Sequence, residues 1–522
     1  MTRLPFLRLT IFLSIGIFLG IMFPNIQLPL WSILPPLGAT LIFSCRLGER
    51  QYQRRWMFGA SLLILLSIVG ILRTRQTTPI IWDRETDGKG YLLAEIEDLP
   101  QERRATYCVN ARLYGREVPS GTKARLYIAK DSLSQDSLLQ GLSIGEIILL
   151  PNRLVKPIDN PNDFDRYLFS IGYSGTIYLP KNQWKRMDGT PQITLVGQAM
   201  RARQKVERQF EEAGITGDEL AIISALTLGD KSQLTPEIKA SYSATGASHV
   251  LAVSGLHVGI VYLIIFTLLA HLLPGEAMKR VRIPVTLAFL WGYAFITGLS
   301  PSVVRASIML TLVAFGDAIG RKSTTANTVL ASAFCMLLYQ PRYLTDIGFQ
   351  LSYAAVFSII LWQDKIYKTF VFKPLLWDKI WSLTSVSIAA QIGTLPIVLF
   401  HFHHFSNTFW ISGLIVIPAA TILLYVTLLL MLCTPFPPLA RWIGRAISSV
   451  TYGMNSGIEW LEKIPHSSVN GIIFHTADLL FLYALLAAMA AVMKLRSFRR
   501  IATMLSLLLL YTAYLTATKL PI

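Results

Sequence analysis

Hydrophobic residues in this chain form long runs, separated by short polar stretches that are rich in lysine and arginine. A helix needs roughly 20 mostly apolar residues to cross about 30 Å of hydrocarbon, because all of its backbone hydrogen bonds must be internal. About a dozen runs approach that length, so the pattern predicts about 11–13 transmembrane helices. The runs are 4–23, 28–45, 56–72, 249–273, 283–299, 302–319, 324–339, 347–362, 380–400, 409–433, 478–493 and 501–514.

Between the third and fourth runs the hydrophobic pattern changes to a period of two. At 107–113 apolar residues alternate with polar ones, and 92–96, 123–130, 146–150 and 173–179 have a similar character. Alternation of this kind predicts β-strands with one buried face. About five short strands predict an inserted water-soluble domain, a small closed or nearly closed β-barrel like the oligonucleotide-binding (OB) barrels.

Composition and charge support a membrane protein and give its orientation. Hydrophobic residues make up 52% of the chain and charged residues 15%, whereas soluble domains have about 25% charged residues. The net charge of +17 comes mostly from loops that fall on one side if the N-terminus is cytoplasmic, as the positive-inside rule requires. The insert is then external. For the last basic loop, at 494–500, to lie in the cytoplasm, the region 441–463 must also cross the membrane or lie re-entrant.

Barrels of the OB type often bind single strands through a basic groove with stacking aromatic side chains. Candidates for such a face in the insert are Arg103, Arg104, Arg112, Lys123, Arg125 and Tyr127. An ordinary solvated barrel surface is the alternative.

A polar segment rich in glycine and serine precedes the run at 249–273. Irregular backbone at membrane depth is tolerated only where it lines a cavity or is buried in protein. Residues 245–258, TGASHVLAVSGLHV, resemble the signature of the competence domain of ComEC-type DNA-uptake channels. Residues 297–310 (TGLSPSVVRASIML), 346–355 (DIGFQLSYAA) and 160–172 (NPNDFDRYLFSIG) resemble further segments of that family, in the same order along the chain.

The resemblance implies a polytopic α-helical membrane protein with an OB-like periplasmic domain, which imports single-stranded DNA through the inner membrane during natural transformation. We expect a channel and not an enzyme, with no cofactor and no metal site. The divisions expected are transmembrane helices at 1–75, an external OB-like domain at 76–195, amphipathic connecting helices at 196–235 and a competence-type transmembrane channel domain at 236–522.

The partners implied are single-stranded DNA, membrane lipid, a periplasmic DNA-binding protein and a cytoplasmic ATP-driven, helicase-like motor. The sequence contains no nucleotide-binding loop of the type G-x-x-x-x-G-K-[ST], so another protein is expected to supply the pulling force. Many relatives carry a C-terminal domain like the metallo-β-lactamases, with an H-x-H-x-D-H motif. Residues 401–407, HFHHFSN, do not match that motif, so a separate nuclease is a further expected partner.

Polar side chains inside membrane segments usually face a cavity or another helix, since exposure to lipid is costly. The candidates for lining the passage or contacting DNA are His249, Ser254, His257, Arg305, Gln350 and Gln391. Arg305 ranks first, because a cation near the outer face suits a phosphate. For each of them a hydrogen bond between packed helices is the alternative role.

Two other functions fit parts of the pattern. Residues 252–255, AVSG, resemble the G-x-S-G of rhomboid-like intramembrane serine hydrolases, and His257 is nearby. A protease of that kind needs its base on a facing helix, whereas His257 follows Ser254 on the same predicted helix. A small-solute transporter often has inverted repeats with broken helices, but the chain contains no second copy of SHVLAVSGLH.

Overall fold

The computed structural model describes residues 4–24, 28–45, 51–77, 90–98, 100–102, 105–115, 118, 121–130, 142, 144–151, 155–157, 168, 172–180, 183–187, 195–275, 278–318, 320, 324–494 and 497–519. The chain divides into two compact units. Unit 1 consists of Met1–Val206, Gly275–Leu299 and Ser307–Asp346, and unit 2 of Glu207–Pro274, Ser300–Ala306 and Ile347–Ile522.

Most of the described residues are helical. The helices are α1 (Pro5–Met22), α2 (Leu34–Cys45), α3 (Gln51–Thr77), α4 (Leu195–Glu212), α5 (Gly217–Thr227), α6 (Pro236–Ala244), α7 (Gly255–Leu272), α8 (Lys279–Ile296), α9 (Pro301–Ala318), α10 (Thr325–Tyr339), α11 (Ile347–Tyr367), α12 (Leu375–Phe402), α13 (Phe409–Cys433), α14 (Pro437–Glu462), α15 (Thr476–Lys494) and α16 (Phe498–Lys519).

Eight described helices are long and apolar enough to cross a membrane, which confirms the prediction of a polytopic membrane protein. They are α1, α3, α7, α9, α12, α13, α15 and α16. Two shorter apolar helices lie at Leu30–Phe43 and Thr325–Tyr339. The runs at 283–299 and 347–362 also form helices, but α8 begins among basic residues and α11 ends among charged ones, which lowers their hydropathy. A total of about 11–13 crossings stays a prediction.

In unit 1, helices α1 and α3 pack closely because glycines line their contact. A methyl group on Gly16 would collide with the carbonyl oxygen of Ser67. One placed on Gly70 would lie 2.7 Å from the carbonyl oxygen of Leu13 and 2.9 Å from the backbone nitrogen of Ile17. Small residues at such positions let membrane helices approach to backbone contact.

The insert forms a mixed sheet whose strands include every predicted one. They are β1 (Tyr91–Ile96), β2 (Gln101–Glu102), β3 (Thr106–Tyr114), β4 (Thr122–Ala129), β5 (Ile147–Pro151), β6 (Val155–Pro157), β7 (Gly175–Leu179) and β8 (Lys185–Arg186). Their order is β6-β7-β4-β3-β1-β5-β8, with β2 beside β3. Strands β4 and β7 are parallel, whereas the other pairs are antiparallel.

The sheet is not a closed barrel, because among the described residues of the insert the edge strands β6 and β8 do not pair with each other. Both edge strands are only two or three residues long. The core has the expected period of two, with Leu92, Val109, Leu126, Ile148 and Ile177 at most 2% exposed. The OB-like assignment stays a prediction.

In unit 2, a two-stranded antiparallel sheet of β9 (His404–Ser406) and β10 (Ser468–Asn470) connects the chain before α13 with the chain after α14. Helices α11 and α12 pack closely at Gly393, where an added methyl group would lie 2.5 Å from the carbonyl oxygen of Ala354. Beside it, the Ser358 hydroxyl donates a hydrogen bond of 2.5 Å to the carbonyl oxygen of Ala389.

Candidate passage site in unit 2

The segment 245–254 is not helical and lies directly before the spanning helix α7. Its backbone turns at Gly246, which has a φ of +77°. A methyl group at this glycine would lie 3.0 Å from Cβ of Phe409 and 3.1 Å from Cβ of Ser406. The Ser412 hydroxyl donates a hydrogen bond of 2.7 Å to the carbonyl oxygen of Thr245. The segment is therefore held against the start of α13.

His404, from the histidine-rich stretch before α13, also holds this region. Its Nε2 lies 3.0 Å from the carbonyl oxygen of Ser243, and its Nδ1 lies 2.6 Å from Oδ1 of Asn470. A carbonyl oxygen only accepts, so Nε2 carries the proton toward Ser243. Both ring nitrogens of His404 are thus engaged within the protein, which gives this histidine a structural role.

His249 and His257 use their ring nitrogens differently. Nδ1 of His249 lies 3.2 Å from the carbonyl oxygen of Gly246, so this nitrogen donates. Nδ1 of His257 instead accepts a hydrogen bond of 3.1 Å from the backbone nitrogen of Ser254, so it is unprotonated. His257 is buried, whereas His249 is exposed.

This geometry also bears on the hydrolase alternative. Ser254 is the N-cap of α7, and Nδ1 of His257 is occupied by the backbone N–H of this serine rather than by its hydroxyl. A general base must hydrogen-bond the hydroxyl that it activates. The arrangement is that of a helix start, which argues against a serine nucleophile.

Arg305 lies on the second turn of α9 and is only 5% exposed. Its guanidinium carbon lies 5.5 Å from the ring centroid of Tyr353 on α11, and that ring contacts Phe349 at 4.4 Å between centroids. Its Nη1 has no hydrogen-bond partner among the described residues. Because a buried, unsatisfied donor is costly, this nitrogen is suited to an acceptor that arrives from elsewhere.

Three of the sequence segments singled out above therefore meet in unit 2. A methyl group on Gly255 would lie 3.6 Å from Cβ of Ala306, which places the start of α7 beside the turn that carries Arg305. Tyr353 then connects Arg305 with α11. We name the group of Ser254, His257, Arg305 and Tyr353 the passage site.

Sequence reasoning missed Tyr353, although the residue lies inside the quoted segment DIGFQLSYAA. The sequence feature that could have identified Tyr353 is its spacing of three from Gln350, which places both side chains on one face of a helix. Gln350 and Gln391 are both half-buried, on α11 and α12. A role in the passage stays a prediction for all six candidates.

On the insert, the basic candidates share one face but are largely paired. Arg112 and Lys123 both contact Glu97, through Nε to Oε1 at 3.0 Å and through Nζ to Oε2 at 3.4 Å. The hydrogen bond to Glu97 raises the pKa of Arg112 above its ordinary value. A shared carboxylate reduces the positive potential available to a polyanion.

The remaining candidates of the insert lie beside these pairs. Arg125 donates a hydrogen bond of 3.1 Å from Nε to Oδ1 of Asn110 and lies 5.1 Å from the ring centroid of Tyr173. Burial raises the pKa of Tyr173 to about 12. Tyr127 is half-buried on β4. Arg103 and Arg104 lie outside the described residues.

Comparison with known proteins identifies a family match that includes the three segments at the passage site. The family described as "Competence protein" matches residues 226–497. The chain is 33% identical over 254 residues to ComE operon protein 3 of Bacillus subtilis, a match that covers 46% of this chain and 31% of that protein. It is 30% identical over 166 residues to competence protein ComA of Neisseria gonorrhoeae, covering 30% of this chain and 24% of that protein.

A third relative is the uncharacterized protein YcaI of Escherichia coli, 27% identical over 209 residues, with 38% of this chain and 27% of that protein covered. In each of these three comparisons the match spans less than a third of the relative's length. No solved structure matches the chain.

Proposed function

We propose that this chain, which belongs to the competence protein family, conducts single-stranded DNA across the cytoplasmic membrane of a bacterium during natural transformation. The observation that carries the proposal is the buried Arg305 guanidinium, with an unsatisfied Nη1 beside a non-helical segment at the start of a spanning helix. The planar arginine fork suits the two non-bridging oxygens of a phosphodiester.

The passage site also suits movement rather than tight capture. Conduction requires contacts that are favourable enough to admit the strand and weak enough to release it. Arg305 offers one phosphate contact, and every nucleotide carries the same phosphate. This contact is independent of base identity, as uptake of arbitrary DNA demands.

The orientation proposed has the N-terminus in the cytoplasm and the insert in the periplasm, supported by the distribution of lysine and arginine among the loops. A periplasmic DNA-binding protein delivers the strand, and a cytoplasmic ATP-driven, helicase-like protein pulls it. These partners follow from the family and from the lack of a nucleotide-binding loop in the sequence.

A photo-cross-linking side chain tests the proposal at the passage site. We expect a benzophenone amino acid in place of Gln350, half-buried one turn from Tyr353, to form a covalent adduct with labelled DNA during uptake. The same side chain in place of Leu429, which is 49% exposed on the apolar helix α13, should give only background. Equal yields at both positions would contradict passage of the strand past α11.

A further inference from the structure

Helix α14 packs against the spanning helix α13. Strand β9 directly precedes α13 and strand β10 follows α14, and the two strands pair with Ser468 opposite Ser406. Near that end, a methyl group on Gly457 of α14 would lie 3.4 Å from Cγ2 of Ile415 on α13. The chain therefore leaves the small sheet along α13 and returns to it along α14. The two helices form an antiparallel pair, so that if α13 crosses the membrane, α14 crosses the same depth in the opposite direction.

The length of α14 is sufficient for a full crossing. It has 26 residues, which at about 1.5 Å per residue is about 39 Å, against about 30 Å of hydrocarbon. Yet α14 is absent from the eight described helices that are apolar enough to span a membrane. A helix that must cross with α13, but is too polar for lipid, needs a polar environment on one side.

The two faces of α14 differ as this requirement predicts. One face is buried and mostly apolar, with Ile447, Met454, Ile458 and Leu461 at most 2% exposed. The opposite side is exposed and carries Trp442 and Trp460 together with Arg441, Arg445, Ser449, Tyr452 and Ser456, which are spaced by three and four residues so that they lie along one side of the helix. We name these five residues the polar face of α14.

The polar groups on this face have no internal partners that would hide them from lipid. Among the described residues, Arg441 and Arg445 form no ion pair, and the hydroxyls of Ser449 and Ser456 form no hydrogen bond. Arg445 instead lies over the ring of Trp442, at 5.4 Å from the centroid. Guanidinium and hydroxyl groups in hydrocarbon without partners are costly, so this face requires water.

We propose that α14 crosses the membrane in addition to the eight apolar helices, and that its polar face is a wall of the water-filled passage used by the strand. This proposal rests on the proposed function for the identity of the cargo, a phosphodiester chain. The wall itself follows from the hairpin geometry and the polarity of α14. Arg441 and Arg445 lie near one end of the passage, where their unpaired charges attract phosphates, and the serines continue the wetted surface toward the sheet.

Thiol accessibility in the membrane-embedded full chain tests the wall. In a background with the native cysteines replaced by serine, we expect Ser449→Cys and Ser456→Cys to react with a charged, membrane-impermeant methanethiosulfonate. The control is Ile422→Cys, at an apolar position of α13 that is 50% exposed. Because the reactive thiolate forms in water and not in lipid, the two polar-face positions should react about tenfold or more faster than position 422.

Two outcomes would overturn the proposal. Equal, slow reaction at positions 449, 456 and 422 would place the polar face in lipid. Oxidative formation of a dimer through Ser449→Cys would make the face an interface between copies of the chain. Neither result depends on DNA, so both are distinguishable from failure of the proposed function, which would instead show as DNA uptake that continues without the protein.

Modification itself gives a second readout. A charged adduct at position 449 should reduce DNA uptake strongly, whereas an adduct of a lipophilic maleimide at position 422 should leave uptake unchanged. Complete modification at position 449 with normal uptake, in a strain whose uptake requires this protein, would contradict the use of this wall by the strand.

Discussion

Replacement of Arg305 by alanine is expected to lower DNA uptake about 10- to 100-fold, the equivalent of one hydrogen bond to a charged group. The guanidinium is buried against Tyr353 and its Nη1 has no partner among the described residues. A phosphate that passes this point would satisfy it. The measurement is entry of labelled DNA into the cytoplasm, normalised to the amount of protein in the membrane.

Arg305→Lys should restore only part of the loss, because lysine offers a point charge rather than a planar fork. The matched control is Arg499→Ala, which removes an exposed arginine from α16 and should leave uptake unchanged. If Arg305 only stabilises the bundle, Arg305→Ala should lower thermal stability and membrane level together with uptake. Normal uptake by a well-expressed Arg305→Ala protein would remove this residue from the pathway.

Replacement of Gly70 by valine is expected to separate helices α1 and α3 and to destabilise the protein by about 1–3 kcal/mol. The added Cβ would lie 2.7 Å from the carbonyl oxygen of Leu13 and 2.9 Å from the backbone nitrogen of Ile17. These are backbone atoms, which cannot rotate away. The helix pair must therefore move apart and lose its packing contacts, the main source of helix association in lipid.

The control for this change lies on the same helix. A methyl group added to Gly59 of α3 would have no atom within 4 Å among the described residues, so Gly59→Val should be tolerated. Both variants are heated as detergent-solubilised full chains, and the fraction that stays monodisperse at each temperature measures their thermal stability. A Gly70→Val protein as stable as the Gly59→Val protein would show that α1 and α3 do not depend on this close contact.

The positions of the spanning helices could be predicted from the sequence, because a long apolar run is a local property. The non-helical backbone before α7 could be anticipated for a similar reason, since glycine and serine interrupt the pattern just before His249. Helix α14 has no such signal. One face of α14 is buried and the other is polar, so its mean hydropathy is too low to identify it as a spanning helix. Only the distribution of charge among the loops predicted a crossing at 441–463.

The arrangement of the insert was less accessible to sequence reasoning. Alternation predicts strands but not which strands pair, and the parallel contact of β4 with β7 joins residues about 50 positions apart, such as Leu126 and Ile177. The same limit applies to charge. Glu97 follows the last residue of β1, and only the pairing of β1 with β3 brings it to Arg112 and Lys123.

The passage site shows what local segments can and cannot predict. Arg305 was singled out because a charged residue in a membrane segment is costly unless it faces a cavity or another helix. Its aromatic partner, Tyr353, lies 48 positions later on another helix, so packing alone defines the pair. The role of Nδ1 of His257 at the helix start likewise depends on the backbone direction at Ser254, which residue types do not specify.

The most direct test of the central claim follows labelled DNA in a naturally transformable host from which the gene for this chain has been deleted. Under the proposed function, DNA still reaches the cell surface but none enters the cytoplasm, and the wild-type gene restored in trans returns transformation to its normal level. Cytoplasmic DNA and transformants at the wild-type level in the deletion strain would contradict the claim that this protein is the route of the strand.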